Sequence, residues 1–337
     1  MKESTPPDTA SPARISMDPV ESALQRPVGA LRVAVVDMGT NSTRLLVADV
    51  ERGNVHEIER RTQVTGLGRG VDLSGNLCSE GIDDVCDVLR EYIQTYERLG
   101  AERVSVIATS AVRDAVNADA FLAELRERFA LDSRILDGDE EARLTYRGAC
   151  SDRESVDDTL VVDVGGGSTE LIVGSGADVT SAASLQCGTV RHTERYLRSD
   201  PPGTAQLEDL AADVQGLIDA ELPAESRPDA RIGIAVAGTP TSLAAIELEL
   251  DPYDPEAVHG HRLALGSTQR MCSELSSMTL ARRRGLTGLQ PGRAPTIVAG
   301  VVILIQVMRA FALPEIEVSE HDILYGAALE AAQAAVP

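Results

Sequence analysis

The chain has 337 residues, of which 43% are hydrophobic and 25% charged, so two domains and a sizeable buried core are expected. A formal net charge of −22 argues against nucleic acid or an anionic membrane as the main partner, and 3% aromatics with no Trp argue against base-stacking platforms. Lys2 is the only lysine, which excludes a Walker, Schiff-base or kinase-type lysine and leaves Arg as the source of positive charge.

Residues 1–30, rich in Pro, Ser, Thr and Ala, read as a disordered tail rather than a signal peptide. Leu31–Val36 and Arg44–Val50 are expected strands around a loop, and Glu57–Thr65 a third; Gly66, Gly68, Gly70 and Gly75 then mark irregular backbone. Ile82, Val85, Cys86, Leu89, Ile93 and Tyr96 recur at helical spacing, and Val104–Ala108 is again strand-like. Asn117 is placed to cap a helix carrying Phe121, Leu122, Leu125 and Phe129, and Asp139 to cap one starting at Glu140. The series restarts at Leu160–Val173. A helix at Leu207–Leu222 follows, then a strand at Ile232–Ala237 that leads to a helix from about Leu243. Ile297–Met308 reads as a buried helix too short to span a bilayer; Glu315–Ser319 is extended and Tyr325–Ala335 is an Ala-rich helix.

The restart is an internal repeat. VVDMGTNSTRLLV, Val35 to Val47, aligns without a gap on VVDVGGGSTELIV, Val161 to Val173; Asp37 matches Asp163, Gly39 matches Gly165 and Ser42 matches Ser168. Arg44 against Glu170 is a change of sign, and the side of the strand that Glu170 takes is left open. Residues after each loop alternate with period two, so the loop turns from strand to strand, unlike Rossmann or Walker loops. Bare backbone lets N–H groups converge on an anion, and an aspartate just ahead of it suits Mg²⁺ better than phosphate. A duplicated α/β unit with a ligand loop at the head of each half follows.

Other segments carry chemistry more weakly. In ATSAVRDAVN, Arg113 falls in a first helical turn, a poor place for a cation unless an anion binds there. In GDEEARLTYRGA, Asp139, Glu140 and Glu141 open a helix, either complementing its dipole or supplying a general base. AGTPTSLAA is a second glycine turn into a helix, and ARRRGLTGLQPGRA is locally basic. Cys78, Cys86, Cys150, Cys187 and Cys272 form no CxxC pair, and no secretion signal is legible, so reduced thiols and a cytoplasmic location are expected. His259 and His261 have no Cys or His cluster nearby in sequence, which argues against zinc.

Taken in order, VDMGTNSTRLLV, TGLGRG, ATSAVRDA, GDEEAR, VVDVGGGSTELIV, CGTVRHTERYL, AGTPTSLAA, GRAPTIVAG and VSEHDILYGAAL resemble the exopolyphosphatase and guanosine pentaphosphatase (Ppx/GppA) family. The resemblance runs from about Leu31 to the end of the chain and is to the short, two-domain forms. It implies an α/β fold of two duplicated actin-like (ribonuclease-H-like) domains with a cleft between them. Residues 31–138 plus about 315–337 would form one domain and 139–314 the other. It also implies hydrolysis of terminal phosphoanhydrides, with Mg²⁺, or Mn²⁺ in its place, and an activated water. By motif position, Glu141 matches the catalytic base and Asp163 the metal-linked aspartate, with Asp37 and Glu141 beside the metal. Gly165, Gly166, Gly167 and Ser168 match one phosphate loop; Gly39, Thr40, Asn41, Ser42 and Arg44 match the other; Arg113 matches a phosphate-binding arginine. Thr40 stands where many members have Ser and keeps the hydroxyl, whereas Pro240 stiffens the loop that approaches nucleotide in ATP-binding relatives.

Release of orthophosphate from polyphosphate is the leading expectation, and hydrolysis of guanosine pentaphosphate (pppGpp) at the same site the alternative. An ATP-dependent kinase of the same superfamily and a non-catalytic polyphosphate or alarmone sensor are further alternatives. For an acidic chain to hold a polyanion, Arg69, Arg113, Arg282, Arg283, Arg284 and Arg293 are expected to make a local positive track. Oligomeric state is left open, with a homodimer one option.

Overall fold

The computed structural model describes residues 26–153, 158–224, 227, 230 and 232–333; most of the expected tail, Lys2 and the end of the last helix lie outside the described residues. The first repeat forms strands β1 (Leu31–Met38) and β2 (Ser42–Glu51), joined by β3 (Asn54–Val64), β4 (Arg103–Ala108) and β5 (Ser133–Ile135) in the order β3-β2-β1-β4-β5. The second forms β6 (Thr159–Val164) and β7 (Thr169–Ser175). β8 (Asp178–Leu185), β9 (Ile232–Val236), β10 (Arg262–Ala264) and β11 (Glu315–Val318) complete the order β10-β11-β9-β6-β7-β8. In each sheet the leading strand pairs antiparallel with its hairpin partner and parallel with the strand that follows a helical crossover. The two sheets therefore share one connectivity, the duplicated α/β architecture expected from the repeat.

Helices cover both faces: α1 (Ser79–Arg98), α2 (Ala118–Phe129), α3 (Gly138–Ala149), α4 (Thr189–Tyr196), α5 (Thr204–Glu221), α6 (Gly238–Glu247), α7 (Leu265–Ser277), α8 (Ile297–Ala310) and α9 (Ile323–Gln333). Double coverage is why β1 and β6 read as apolar runs. Ala34, Val36 and Met38 pack with α1, while Val33 and Val35 pack with α9. Leu160, Val162 and Val164 pack with α5 and α8, while Val161 packs with α3. By the same alternation Asp37 shares the α9 face of its sheet and Asp163 the α3 face of its own. The apolar run of α8 is almost wholly buried, and no helix among the described residues is long and apolar enough to cross a membrane.

The two covering helices cross on glycine. A Cβ on Gly148 of α3 would lie 1.8 Å from the Asp322 carbonyl oxygen, and one on Gly326 of α9 would lie 1.9 Å from that of Leu144. This crossing joins the halves of the molecule.

Several boundaries differ from expectation for local reasons. Asp137, not Asp139, caps α3: its side chain accepts the Glu140 N–H at 2.8 Å and Glu140 returns to the Asp137 N–H at 3.2 Å, a reciprocal capping box. Asn117 precedes α2 but makes no cap bond; its amide instead bridges the Leu77 N–H and C=O at 2.9 and 3.0 Å. Helix α6 starts at Gly238 rather than near Leu243, because Pro240 falls in the first turn, where no intrahelical N–H is needed. The segment 315–318, expected with the first domain, is strand β11 of the second sheet, paired with β9 and β10; the chain crosses to the first sheet only at α9.

Gly326→Ala must push one helix off the other at backbone, so it should cost at least about 1–3 kcal/mol in a urea melt. Gly216→Ala, on open helical surface with nothing within 4 Å of the added Cβ, should instead stabilise by about 0.5–1 kcal/mol.

Candidate active site

Both hairpin loops are closed by the same bond: the Gly39 N–H donates to the Ser42 carbonyl at 3.0 Å and the Gly165 N–H to that of Ser168 at 3.1 Å. The loops then pack directly on each other. A Cβ on Gly166 would lie 2.8 Å from Thr40 Cβ, and one on Gly167 would lie 2.5 Å from Ser110 Oγ and 2.9 Å from Thr40 Oγ1. Neither glycine has positive φ, so close approach between the halves, rather than left-handed backbone, demands them. Between the loops lies a chamber of about 100 Å³, lined from one side by Asp37, Gly39, Thr40, Asn41, Ser42 and Arg44 and from the other by Asp163, Gly165, Gly166, Gly167 and Ser168. Glu141, Glu170, Ser110, Thr189, Gly238 and Arg293 are among the other residues of the wall.

The hairpin register sets the charges. Asp37 lies across from Arg44 on β1 and β2; at the equivalent place on β6 and β7, Asp163 lies across from Glu170. Arg44 donates to Asp37 Oδ2 from Nε at 2.9 Å and from Nη2 at 2.6 Å, and its Nη1 pairs with Asp322. Asp37 Oδ1 is buried with no hydrogen-bond partner. Burial pushes the Asp37 carboxyl up, with Arg44 opposing. Asp163 has no such cross-strand cation: burial, opposed by Arg44 but reinforced by Asp322, Glu141 and Asp37, raises it to about 7. Glu170 is buried, accepts the Ser184 hydroxyl at 2.9 Å, and is pushed well up by burial and then by the charges of Glu141 and Asp163.

Glu141 enters from the first turn of α3, one residue after the capping-box glutamate, and is buried. Its carboxyl is raised by burial, and Arg113 opposes this by donating from Nη1 to Oε2 at 2.7 Å. Arg113 also donates to the Leu136 carbonyl at 2.9 Å and does not line the chamber. The arginine expected on phosphate thus stands behind Glu141. Arg44 lines the chamber, but with two carboxylate partners rather than as a free anion holder.

The expected positive track does not form. Arg69 and Arg282 are exposed and line neither this chamber nor the pocket beside it. Arg283 points inward, donating to the Leu275 and Met278 carbonyls at 3.1 Å each, because successive residues on one helical turn face different ways. Arg284 and Arg293 line the adjoining pocket of about 680 Å³, which shares Arg44, Ala237, Gly238 and Arg293 with the chamber. There Arg44, Arg60, Arg284 and Arg293 meet Glu57, Asp251, Glu320 and Asp322, with Leu250, Tyr253, Leu286 and Leu289 beside them, so the lining is charge-balanced and partly apolar. Among the described residues Arg293 has no carboxylate partner: its Nε donates to Gln290 Oε1 at 3.1 Å and its guanidinium lies over Gly238. Burial, and then Arg44, lower its pKa, the setting of a cation that lacks an anion.

Sequence reading left Glu170 unplaced and missed Asp322. Alignment of the two repeats held the signal for Glu170, since Arg44 and Glu170 occupy one register position; Asp322 had no such signal. His259 also proves less isolated than expected, lying 3.0 Å from Asp152 Oδ2 with His321 Nδ1 at 3.7 Å from the same oxygen. His259 Nδ1 accepts the Glu320 N–H at 3.2 Å, which leaves Nε2 to donate to Asp152, and Asp152, His259 and His321 each bring one possible metal-ligand atom within 4.8 Å of the others.

Comparison with known proteins identifies the family. The chain matches the model of the Ppx/GppA phosphatase family over residues 46–331. It is 36% identical over 315 residues to "Exopolyphosphatase 2" of Mycobacterium tuberculosis, covering 89% of this chain and 98% of that one. It is 34% identical over 180 residues to "Guanosine-5'-triphosphate,3'-diphosphate pyrophosphatase" of Photobacterium profundum, covering 53% of this chain and 36% of that one. The crystal structure of an exopolyphosphatase-like protein superposes with a TM-score of 0.84 at 33% identity, over 89% of this chain and 97% of the other. The chain therefore belongs to the Ppx/GppA phosphatase family.

Proposed function

We propose that the chain is an exopolyphosphatase, releasing terminal orthophosphate from inorganic polyphosphate by attack of water. The observation that supports this most directly is the convergence of two glycine loops on one small chamber that also holds the buried Glu141. A chamber of about 100 Å³ suits a single phosphoryl group, and the pocket of about 680 Å³ beside it takes what is attached. Gly39 and Gly165 use their amides to close the turns, which leaves the amides that follow, with Ser42, Ser168 and Arg293, for phosphate oxygens. Glu141, steadied by Arg113 through one oxygen, takes the water proton on the other. The water oxygen bonds to the terminal phosphorus as the bridging P–O bond breaks, and the shortened chain leaves with that electron pair. Glu170 lies close enough for its charge to act on Glu141 and can share the proton gained.

The residues fit a hard divalent cation, Mg²⁺ or Mn²⁺. Asp37 Oδ1 is an orphaned buried acceptor, and Asp163 and Glu170 share the chamber without a cation of their own. Asp37 and Asp163 would hold the ion. When bound it supplies positive charge to the phosphate oxygens.

A second reading, hydrolysis of pppGpp at the same site, is favoured by one feature. The adjoining pocket is charge-balanced and carries Tyr253 with three leucines, a better match to a nucleoside than to a bare polyanion.

Glu141→Gln should lower kcat for orthophosphate release by at least about 100-fold with little change in KM. A variant that retains the wild-type rate would overturn the assignment. Assaying polyphosphate and pppGpp side by side decides the substrate by the ratio of kcat/KM.

Stability gives an independent test of the metal site. Asp163 binds its proton more tightly folded than unfolded, so in EDTA the folded protein loses stability as pH rises from about 4, the ordinary carboxylate value, through about 7. Glu170 and Glu141 are shifted in the same direction. Mg²⁺ should therefore raise the melting temperature of the wild type at pH 8. Asp163→Asn should be more stable than the wild type in EDTA at that pH and should gain little from Mg²⁺.

A further inference from the structure

The motif CGTVRHTERYL contributes Thr189 to the chamber wall, but its charged residues play no part in the chemistry above. They lie on α4, which starts directly behind the second loop: the Thr189 and Val190 N–H groups donate to the Gly165 and Gly166 carbonyls, each at 2.9 Å. We propose that Arg191 is a positioning residue, which holds the two phosphate loops in register by latching the halves of the molecule together through Asp72.

The contacts are specific. Arg191 donates from Nε to the Gly167 carbonyl of its own half at 2.8 Å. Its other two nitrogens reach across the cleft: Nη1 pairs with Asp72 and Nη2 with Asp114 Oδ2, the latter at 2.6 Å. Asp114 comes one turn after Ser110, and Asp72 belongs to the Gly70–Ser74 segment that packs behind Thr40. One turn along α4, Arg195 adds a second pairing to Asp72 at 2.9 Å, and Glu194 accepts the Gly70 N–H at 3.1 Å. The side chains of Arg191 and Asp72 are each only 14% exposed, so water screens this pairing less than it would a surface pair.

The plain alternative is that Arg191 merely ties down a helix. Against it, all three guanidinium nitrogens are engaged on three separate segments, one in the loop itself and two in the opposite half, and a lysine could not reproduce that planar fork. If the latch sets the population of closed molecules, breaking it makes substrate do the work of closure. Apparent affinity then falls by the closed fraction, while the rate at saturation is kept.

This inference rests on the phosphate-cleft reading, so its test has one arm with substrate and one without. With polyphosphate, Asp72→Asn and Arg191→Gln should each raise KM by at least about fivefold and leave kcat within about twofold. The double variant should fall short of the product of the two single effects, because both remove the Arg191–Asp72 pair, while loss of the Arg195–Asp72 pair keeps it worse than Arg191→Gln alone. Arg191→Lys should not restore KM. Without ligand, small-angle X-ray scattering should give Asp72→Asn a larger radius of gyration than the wild type. Unchanged KM and unchanged scattering in Asp72→Asn, or a fall in kcat at constant KM, would overturn the latch. If Arg191→Gln fails to fold, Asp72→Asn carries both arms. If the wild type releases phosphate from no substrate, the substrate reading falls while scattering still decides the latch.

Discussion

Everything at the centre of this molecule follows from an unequal trade of charge across two otherwise matching hairpins. In the first, a buried aspartate faces an arginine on the neighbouring strand; in the second, the equivalent aspartate faces a glutamate. Asp37, Glu141, Asp163 and Glu170 are buried around one small chamber with Asp322 in the pocket beside it, and Arg44 and Arg113 are already committed to three of the five. Burial first, and then the charges of their neighbours, make Asp163 and Glu170 hold protons they would otherwise lose, whereas at Asp322 burial is outweighed by the charges of Arg44 and Arg60, which hold the carboxyl low. That is poor design for stability, and it suits the proposed site, in which these carboxyls would attract a divalent cation and accept a proton near neutral pH.

The duplicated fold is what makes such a site affordable. Each sheet is covered on its cleft side by one helix, α9 on the first and α3 on the second, and the two meet at Gly148 and Gly326 with no side chain between. Helix α3 brings Glu141 to the chamber at its first turn and touches the other half near its last. The proposed base is therefore referenced to both halves at once. The same logic operates where Gly166 and Gly167 press on Thr40 and Ser110. Small residues mark the places where one half must meet the other, and bulky apolar ones fill the interior of each.

Most of the fold was legible because it is local or repeated. Period-two alternation after each loop gave the hairpins, and the ungapped repeat gave the second half once the first was understood. What stayed hidden depends on contacts between distant segments. Strand β11 is four residues long, and nothing in Glu315–Val318 says which sheet will take it. Arg113 was matched to a phosphate-binding arginine by motif position, and its pairing with Glu141, 28 residues away, leaves no trace in the local sequence. Arg282, Arg283 and Arg284 look alike in sequence, yet one helical turn sends Arg283 inward and leaves its neighbours exposed. Asp322 and Arg191 gained their meaning only when the two halves closed.

Arginine supplies every cationic side chain among the described residues other than histidine, since Lys2 lies outside them. A guanidinium keeps its proton far into alkaline solution, where an ammonium of ordinary pKa would have begun to discharge. The positive side of this cleft is therefore a fixed quantity, and any pH response must come from its carboxyls and from the phosphate itself. Among the described residues, therefore, lysine-directed reagents find no target at the site, whereas dicarbonyl reagents that condense with guanidinium groups do.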